Sequence, residues 1–295
     1  MKKLSCLLVL LALASFYACK EDIVIDLEEG LPMVGVEGSF TDELKRHEVI
    51  LSYTADFYHS GEVGMIRGAR VRVTDGIDTV EYFEQPELPG HYLTPLVAGH
   101  KNTLYTLLVD VPEEGETDGF VHLMAESYMA DNVEEIDSLV LKTYPLFEGL
   151  PIRDTIYMVY PYFQSLPDPS IVYMAHLTVG GVPLYDTLTS VSSIPMAGYA
   201  GYYVNGPEML ETNMEIPAGM VMSSQMERGD TIRLDLLSIP YDYMMFTFSV
   251  KTSMGSNPLM GPPSNVPTNI QPAGKGVGWF YAASVVSKET VYSWP

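Results

Sequence analysis

Cysteine and basic residues are scarce in this chain. Only two of its 295 residues are cysteines, and 16 Lys and Arg stand against 38 Asp and Glu, for a formal net charge of −22 at pH 7. Both cysteines lie within the first 19 residues, so the remainder has no disulfide and no cysteine-ligated metal site. The negative charge repels phosphate groups, which argues against a nucleic acid as partner.

Long apolar runs are also scarce, apart from one at the start. Residues 4–18 are apolar except for Ser5 and Ser15, follow Lys2 and Lys3, and end at the small residue Ala18. This pattern predicts a secretory signal over residues 1–18, since the run is too short for a stable membrane span. No second run of this length follows, so the sequence predicts no transmembrane helix.

Cys19 stands where the signal would be cut, which is typical of a lipoprotein signal. We predict that the Cys19 thiol carries a diacylglycerol. Two or more acyl chains give lasting anchoring, because each buried CH₂ contributes about 0.8 kcal/mol. Phe16 and Tyr17 replace the leucine and the small residue that usually precede such a cysteine. An ordinary secretory signal with a chance cysteine is therefore the alternative.

Three charged residues follow the predicted lipidation site directly. Lys20, Glu21 and Asp22 resemble the lysine-plus-two-acids tag that sends Bacteroidota lipoproteins to the outer face of the outer membrane. A solvated charged linker is the alternative. Loss of the signal leaves 14 basic and 38 acidic residues, a net charge of −24. Acyl chains rather than charge would then hold the protein at the membrane, through a tether over residues 19–30.

The rest of the chain has the composition of a β protein with a core. It contains 20 tyrosines, 24 glycines and 21 prolines besides many β-branched residues, a combination typical of strands broken by turns. Alternating apolar residues predict a β-sandwich over residues 31–130 and a second β-rich domain over residues 131–295. The predicted strands include residues 34–40, 49–53, 69–73, 104–111, 121–128, 136–144, 155–163, 171–179 and 231–238.

The later part of the chain is less regular. Residues 180–230 are rich in turns, and the five prolines of residues 257–272 exclude a central strand there. Residues 240–252 favour a helix that begins at Pro240, with strand as the alternative. One face of this helix would carry Tyr241, Met244, Met245 and Phe248. Residues 274–287 are predicted to form a closing strand or hairpin, so that the second domain has at most one or two short helices.

Several short segments together resemble a known family. They include residues 36–42 (VEGSFTD), 68–75 (GARVRVTD), 135–138 (EIDS) and 276–280 (GVGWF). On these residues the chain is similar to the Bacteroidota outer-membrane lipoproteins catalogued as domain of unknown function 4249. The resemblance implies an N-terminal immunoglobulin- or transthyretin-like sandwich, an outer-membrane setting and genes that lie beside TonB-dependent transporters. The family has no assigned catalytic residues, so none is implied here.

Sequence motifs of catalysis are not evident. The six histidines show no metal-ligand spacing, and the G-x-S-x-G motif of serine hydrolases is absent. A Ser-His-Asp triad or a carboxylate pair assembled from distant residues is an alternative that the sequence leaves open. Residues 75–78 and 113–119 offer oxygen ligands for Ca²⁺, but without EF-hand spacing they are also ordinary turns or loops. We predict no catalytic residue, no cofactor and no metal.

Methionine is the unusual residue type of this chain. Five methionines lie within eighteen residues, namely Met209, Met214, Met220, Met222 and Met226. Such a group can fill a core, form an adaptable contact surface or offer thioether ligands to Cu(I). Neighbouring tyrosines favour a contact surface within residues 196–226, because aromatic residues anchor interfaces. The predicted contact residues are Tyr199, Tyr202, Tyr203, Met220 and Met222.

Together these features predict a non-enzymatic lipoprotein that is anchored in the outer membrane and faces the cell exterior. It would be an accessory or substrate-binding partner of a TonB-dependent transporter. The alternatives are a cell-surface adhesin or structural lipoprotein, and a hydrolase that acts on surface glycans or peptides.

Overall fold

The structure, a computed structural model, describes residues 32–55, 63–113, 116, 118–144, 155–168, 170–184, 203–204, 217–254 and 266–293. These residues form a mainly β protein, which confirms the predicted fold class. The strands are β1 (Val34–Thr41), β2 (Glu48–Tyr53), β3 (Arg70–Thr74), β4 (Thr79–Gln85), β5 (Leu88–Leu93), β6 (Thr103–Pro112), β7 (Phe120–Met129), β8 (Ser138–Tyr144), β9 (Ile156–Gln164), β10 (Val172–Val179), β11 (Val182–Pro183), β12 (Tyr203–Val204), β13 (Gly219–Met222), β14 (Thr231–Ile239) and β15 (Gly276–Val291).

One α-helix, α1 (Tyr241–Met254), follows β14, and a single 3₁₀ turn (Ser223–Gln225) follows β13. Neither helical segment of the described chain has the length and apolar character that a membrane crossing requires. The strand pattern follows the sequence closely in the first half. In β1, Val34, Val36 and Phe40 are buried while Glu37 is exposed, because successive side chains of a strand point to opposite faces.

Eleven strands share one hydrogen-bonded sheet, in the order β11-β10-β14-β15-β1-β2-β5-β4-β3-β6-β7. Its longest member, β15, pairs in parallel with β1 over residues 276–283 and antiparallel with β14 over residues 284–291. This strand lies in the second predicted domain but pairs with the first strand of the predicted sandwich. The boundary between residues 130 and 131 therefore stays a prediction, as do the two separate domains.

Close approach of β1 and β15 depends on Gly278. Its φ is +99°, and a Cβ added there would collide with the backbone carbonyl group of Val36 on β1. A residue with a side chain is strained at such a φ, and no rotamer can move a backbone carbonyl away. The junction of the sheet is thus tied to glycine at this position.

Helix α1 covers one face of this sheet with an aromatic cluster. Tyr243, Phe246 and Thr247 are buried at the i, i+3, i+4 spacing of one helical face. The Tyr243 ring stacks on Tyr281 with 4.0 Å between centroids, and Phe246 stacks on Trp279 at 5.1 Å. These contacts confirm the predicted helix, since tertiary packing outweighs the strand preference of aromatic residues.

The helix face that the sequence singled out is mostly the outer one. Tyr241, Met245 and Phe248 are exposed, whereas Met244 is partly buried against the sheet.

A second, four-stranded sheet consists of β12, β9 and β13, with β8 paired to β9. Its inner face supplies Val159, Phe163 and Val221 to an apolar core that also contains Tyr173 of β10 and Leu234 of β14. The two sheets therefore share this core. The alternate residues along β8, β9 and β13 point away from it, on the outer face of the four-stranded sheet.

Candidate functional site

The outer face of the four-stranded sheet carries a group of apolar and aromatic residues at its centre. Along β9, Tyr157, Val159 and Phe163 are buried, while the alternate residues Met158 and Tyr160 are only partly buried. An antiparallel sheet with one solvated face normally carries polar residues on that face. The departure from this pattern marks the outer face of β9 as a candidate contact surface.

Strand register makes the surface continuous across three strands. Met220 of β13 lies directly opposite Met158 of β9, and Met222 lies opposite Ile156. On the other edge of β9, Val140 of β8 lies opposite Tyr160. We call the resulting surface the methionine–tyrosine face, composed of Val140, Ile156, Met158, Tyr160, Met220 and Met222.

Two of the three methionines of this face are exposed to solvent. Met220 and Met222 are 39% and 40% exposed, although both are large apolar side chains. Lys142 is the one charged residue among the described outward positions of β8, β9 and β13, and its Nζ lies 5.1 Å from the centroid of the Tyr160 ring. Such a cation–π contact ties the ammonium group to an aromatic ring and leaves the rest of the face uncharged.

The structure places the predicted contact residues unevenly. Met220 and Met222 lie together on the methionine–tyrosine face, and Tyr203 lies in β12, opposite Gln164 of β9. Tyr199 and Tyr202 lie outside the described residues. The same holds for the predicted lipid-anchor residues Cys19, Lys20, Glu21 and Asp22, so lipidation and the export tag stay predictions.

The sequence did not identify the residues of β8 and β9 that belong to the methionine–tyrosine face, notably Met158 and Tyr160. A signal for them existed in residues 156–163, which read IYMVYPYF without a single charged residue. A strand with one solvated face alternates apolar and polar residues. A strand whose residues are apolar on both faces is expected to be in contact with other groups on both faces.

A row of polar residues crosses β10, β14 and β15 in the manner of an incomplete catalytic triad. Register places His176 beside Asp235 and Asp235 beside Ser287. The Ser287 hydroxyl donates to Asp235 Oδ1 at 2.5 Å, and Arg233 Nε donates to the same oxygen at 2.7 Å. A triad needs the imidazole between the hydroxyl and the carboxylate, but here the carboxylate lies in the middle.

Burial lowers the pKa of His176, and the nearby Asp235 carboxylate only partly opposes this shift. The imidazole is therefore neutral at pH 7 and makes no contact that would activate Ser287. This arrangement stabilises the junction of three strands rather than a nucleophile.

A second histidine cluster lies on the outer side of β6 and β7. His122 Nδ1 donates to Asp110 and Nε2 donates to Asp118, both at 2.7 Å, and Arg72 donates to Asp110 at 2.7 Å. The hydrogen bonds to Asp110 and Asp118 raise the pKa of His122. Because both ring nitrogens are occupied, neither is available to a substrate or a metal ion.

Acidic residues named as calcium candidates are used locally. Asp75 Oδ1 accepts from the amides of Ile77 at 2.9 Å and Asp78 at 2.7 Å, which closes the turn between β3 and β4. Glu116 pairs with Lys275 at 2.8 Å. Across the part of the chain that the structure describes, no three His, Cys, Asp or Glu side chains are grouped as metal ligands.

These features define a class: a mainly β protein whose most distinctive described surface is an apolar sheet face. The comparison with protein families is consistent with the resemblance found in the sequence. Residues 20–289 match the family model "Domain of unknown function (DUF4249)". The chain belongs to this family. No curated protein matches it.

Proposed function

We propose that this protein is a non-enzymatic, lipid-anchored protein of the outer membrane and an accessory or substrate-binding partner of a TonB-dependent transporter. The observation that carries the binding role is the methionine–tyrosine face. Cys19 supports the location because two or more acyl chains anchor a protein lastingly, and Lys20, Glu21 and Asp22 support it because they resemble the export tag of outer-membrane lipoproteins.

The composition of this face suits contact with another protein. Methionine side chains adapt their shape to a partner, and tyrosines offer a large apolar area with one polar end. Exposed apolar patches of this kind mark interaction sites on soluble domains. Met220 and Met222 lie on a short strand at the edge of the sheet, where a partner can reach both.

A non-enzymatic role is supported by the hydrogen bonds of the polar clusters. Ser287 donates to Asp235, and His122 is held between two carboxylates. In these two clusters of the described chain, the serine and the histidine are therefore engaged with neighbouring side chains. Hydrolysis of a glycan or peptide panel that is lost on Ser287→Ala would contradict this part of the proposal.

Affinity purification of the tagged full chain from detergent-solubilised outer membranes tests the proposal. Mass spectrometry is expected to find a TonB-dependent transporter in stoichiometric amount. The double variant Met220→Asp, Met222→Asp should capture at least tenfold less transporter, because each charge would have to be desolvated in the contact. Ile77→Asp is the matched control, since Ile77 is 91% exposed at a distant hairpin turn.

Three outcomes would contradict the proposal. Recovery of the chain alone, in full yield and in a mild detergent, would exclude a stable transporter complex. Recovery with fimbrial or matrix proteins instead would favour the adhesin interpretation. If the double variant Met220→Asp, Met222→Asp captures the transporter as well as the native chain and the Ile77→Asp control do, the contact surface lies elsewhere.

A further inference from the structure

Strand register places three methionines on one side of β9 and β13. Met158 and Met220 are direct cross-strand neighbours, and Met222 is two residues further along the same face. Directly opposed side chains begin about 4.5–5.5 Å apart and diagonal ones about 7–8 Å apart. Methionine has three rotatable bonds beyond Cα, so three sulfurs at these spacings can reach a common point.

We infer that Met158, Met220 and Met222 form a binding site for a soft monovalent metal ion, Cu(I) or its analogue Ag(I). Thioethers are soft, neutral ligands that select Cu(I), whereas hard cations such as Ca²⁺ and Mg²⁺ require oxygen ligands. The described outward positions of β8, β9 and β13 carry no carboxylate and no imidazole. The donor set of this face therefore favours a soft ion.

Exposure distinguishes these methionines from those that fill a core. Met174 is buried to 1% exposure among apolar residues of the sheet, whereas Met220 and Met222 remain open to solvent. An ion can thus reach their sulfur atoms from water. The register places the apolar residue Ile156 opposite Met222, and Val140 opposite Tyr160.

The positive charge of Lys142 weakens the binding of a cation at this site. It lies directly opposite Met158 on β8, but its ammonium group sits over the Tyr160 ring. A bound cation is repelled by this charge. Replacement of Lys142 by glutamine is therefore expected to tighten Cu(I) binding by roughly threefold to tenfold.

The inference concerns the same surface as the proposed function but does not rest on the transporter. Leucine has nearly the volume and apolar character of methionine and lacks the sulfur atom. Substitution of the three methionines by leucine should thus remove the metal site and retain the apolar contact surface. Aspartate substitution of Met220 and Met222 should remove both, so failure of one proposal can be distinguished from failure of the other.

The experiment is an anaerobic titration of the purified full chain with Cu(I) in competition with a chromophoric Cu(I) chelator. We expect one ion per chain with affinity that is independent of pH between about 5.5 and 7.5, because a thioether has no proton to lose, unlike cysteine or histidine. Met158→Leu, Met220→Leu and Met222→Leu should each weaken binding at least tenfold. Met245→Leu is the matched control, since Met245 is 39% exposed on α1.

NMR of methionine methyl groups localises the ion. The methyl signals of Met158, Met220 and Met222 should shift on addition of Ag(I), while the signals of Met174 and Met245 should not. Unchanged binding in the triple leucine variant would overturn the inference, as would an equal loss in Met245→Leu. Absence of any one-to-one complex in the native chain would overturn it as well.

Discussion

Replacement of Gly278 by alanine tests whether the pairing of β15 with β1 stabilises the eleven-stranded sheet. Gly278 lies opposite Val36 in the parallel pairing of β15 with β1. Its φ of +99° is strained for alanine, and the new Cβ would collide with the Val36 carbonyl group. Both effects act on the same backbone pairing, so the substitution should destabilise the sheet junction directly.

The magnitude follows from two contributions. A non-glycine residue held at such a φ costs about 1–3 kcal/mol. Relief of the collision requires β15 to move away from β1, which loses one or two backbone hydrogen bonds at about 1 kcal/mol each. We therefore expect Gly278→Ala to lower the free energy of unfolding by about 3–4 kcal/mol.

Gly76→Ala is the matched control, because Gly76 has a similar φ of +88° but nothing lies within 4 Å of its added Cβ. Because it carries the conformational cost but not the collision, its loss in the free energy of unfolding should be about 1–2 kcal/mol smaller than that of Gly278→Ala. Urea unfolding followed by tryptophan fluorescence measures both variants, and Trp279 reports directly on β15. Equal losses in the two variants would refute the assigned role of the β1–β15 contact.

Three further predictions follow from single contacts. The pKa of His122 should lie above its usual value of 6.5, because carboxylates accept hydrogen bonds from both ring nitrogens. The contribution of His122 to stability is therefore present below pH 6.5 and is lost as the pH rises through the raised pKa. Asp118→Asn should lower the pKa of His122, as measured by an NMR titration. Phe246→Ala should destabilise the protein by about 3–5 kcal/mol, whereas Phe248→Ala on the same helix should cost less than about 0.5 kcal/mol, since the two side chains are 6% and 64% exposed. Asn132→Ala should cost about 2–3 kcal/mol in chemical denaturation, because its Nδ2 donates at 2.8 Å to backbone carbonyls of both β14 and β15.

Each of these predictions has a result that would contradict it. A His122 pKa at or below 6.5 would mean that the two carboxylates do not hold the imidazolium form. Equal losses for the two phenylalanine variants would place the buried face of α1 elsewhere. A loss below about 0.5 kcal/mol for Asn132→Ala would show that water replaces its hydrogen bonds.

Much of the secondary structure could be predicted from local patterns. The alternation of Val34, Val36 and Phe40 predicts β1, and the observed strand buries these three residues. Pro240 before the first turn predicts α1, whereas the apolar face that the sequence assigned to this helix is mostly exposed. Such periodicities are properties of neighbouring residues, so they are visible without any knowledge of the fold.

Pairing between distant strands could not be predicted in this way. Residues 274–287 left strand and hairpin as alternatives, and the observed β15 is one continuous strand with two different partners. The short strand β13 lies within a stretch whose turn-rich sequence hid it. Register between such strands depends on hydrogen bonds between residues that are far apart in the sequence, which no local pattern encodes.

The candidate site shows the same division. The sequence pointed to Met220 and Met222 because methionines are dense there, and a predicted lipid anchor at Cys19 came from the first 22 residues alone. Only the tertiary structure set Met158 opposite Met220 and turned both away from the core. Composition and local periodicity determined which residues form strands, whereas the choice of partner strand decided which side chains share a surface.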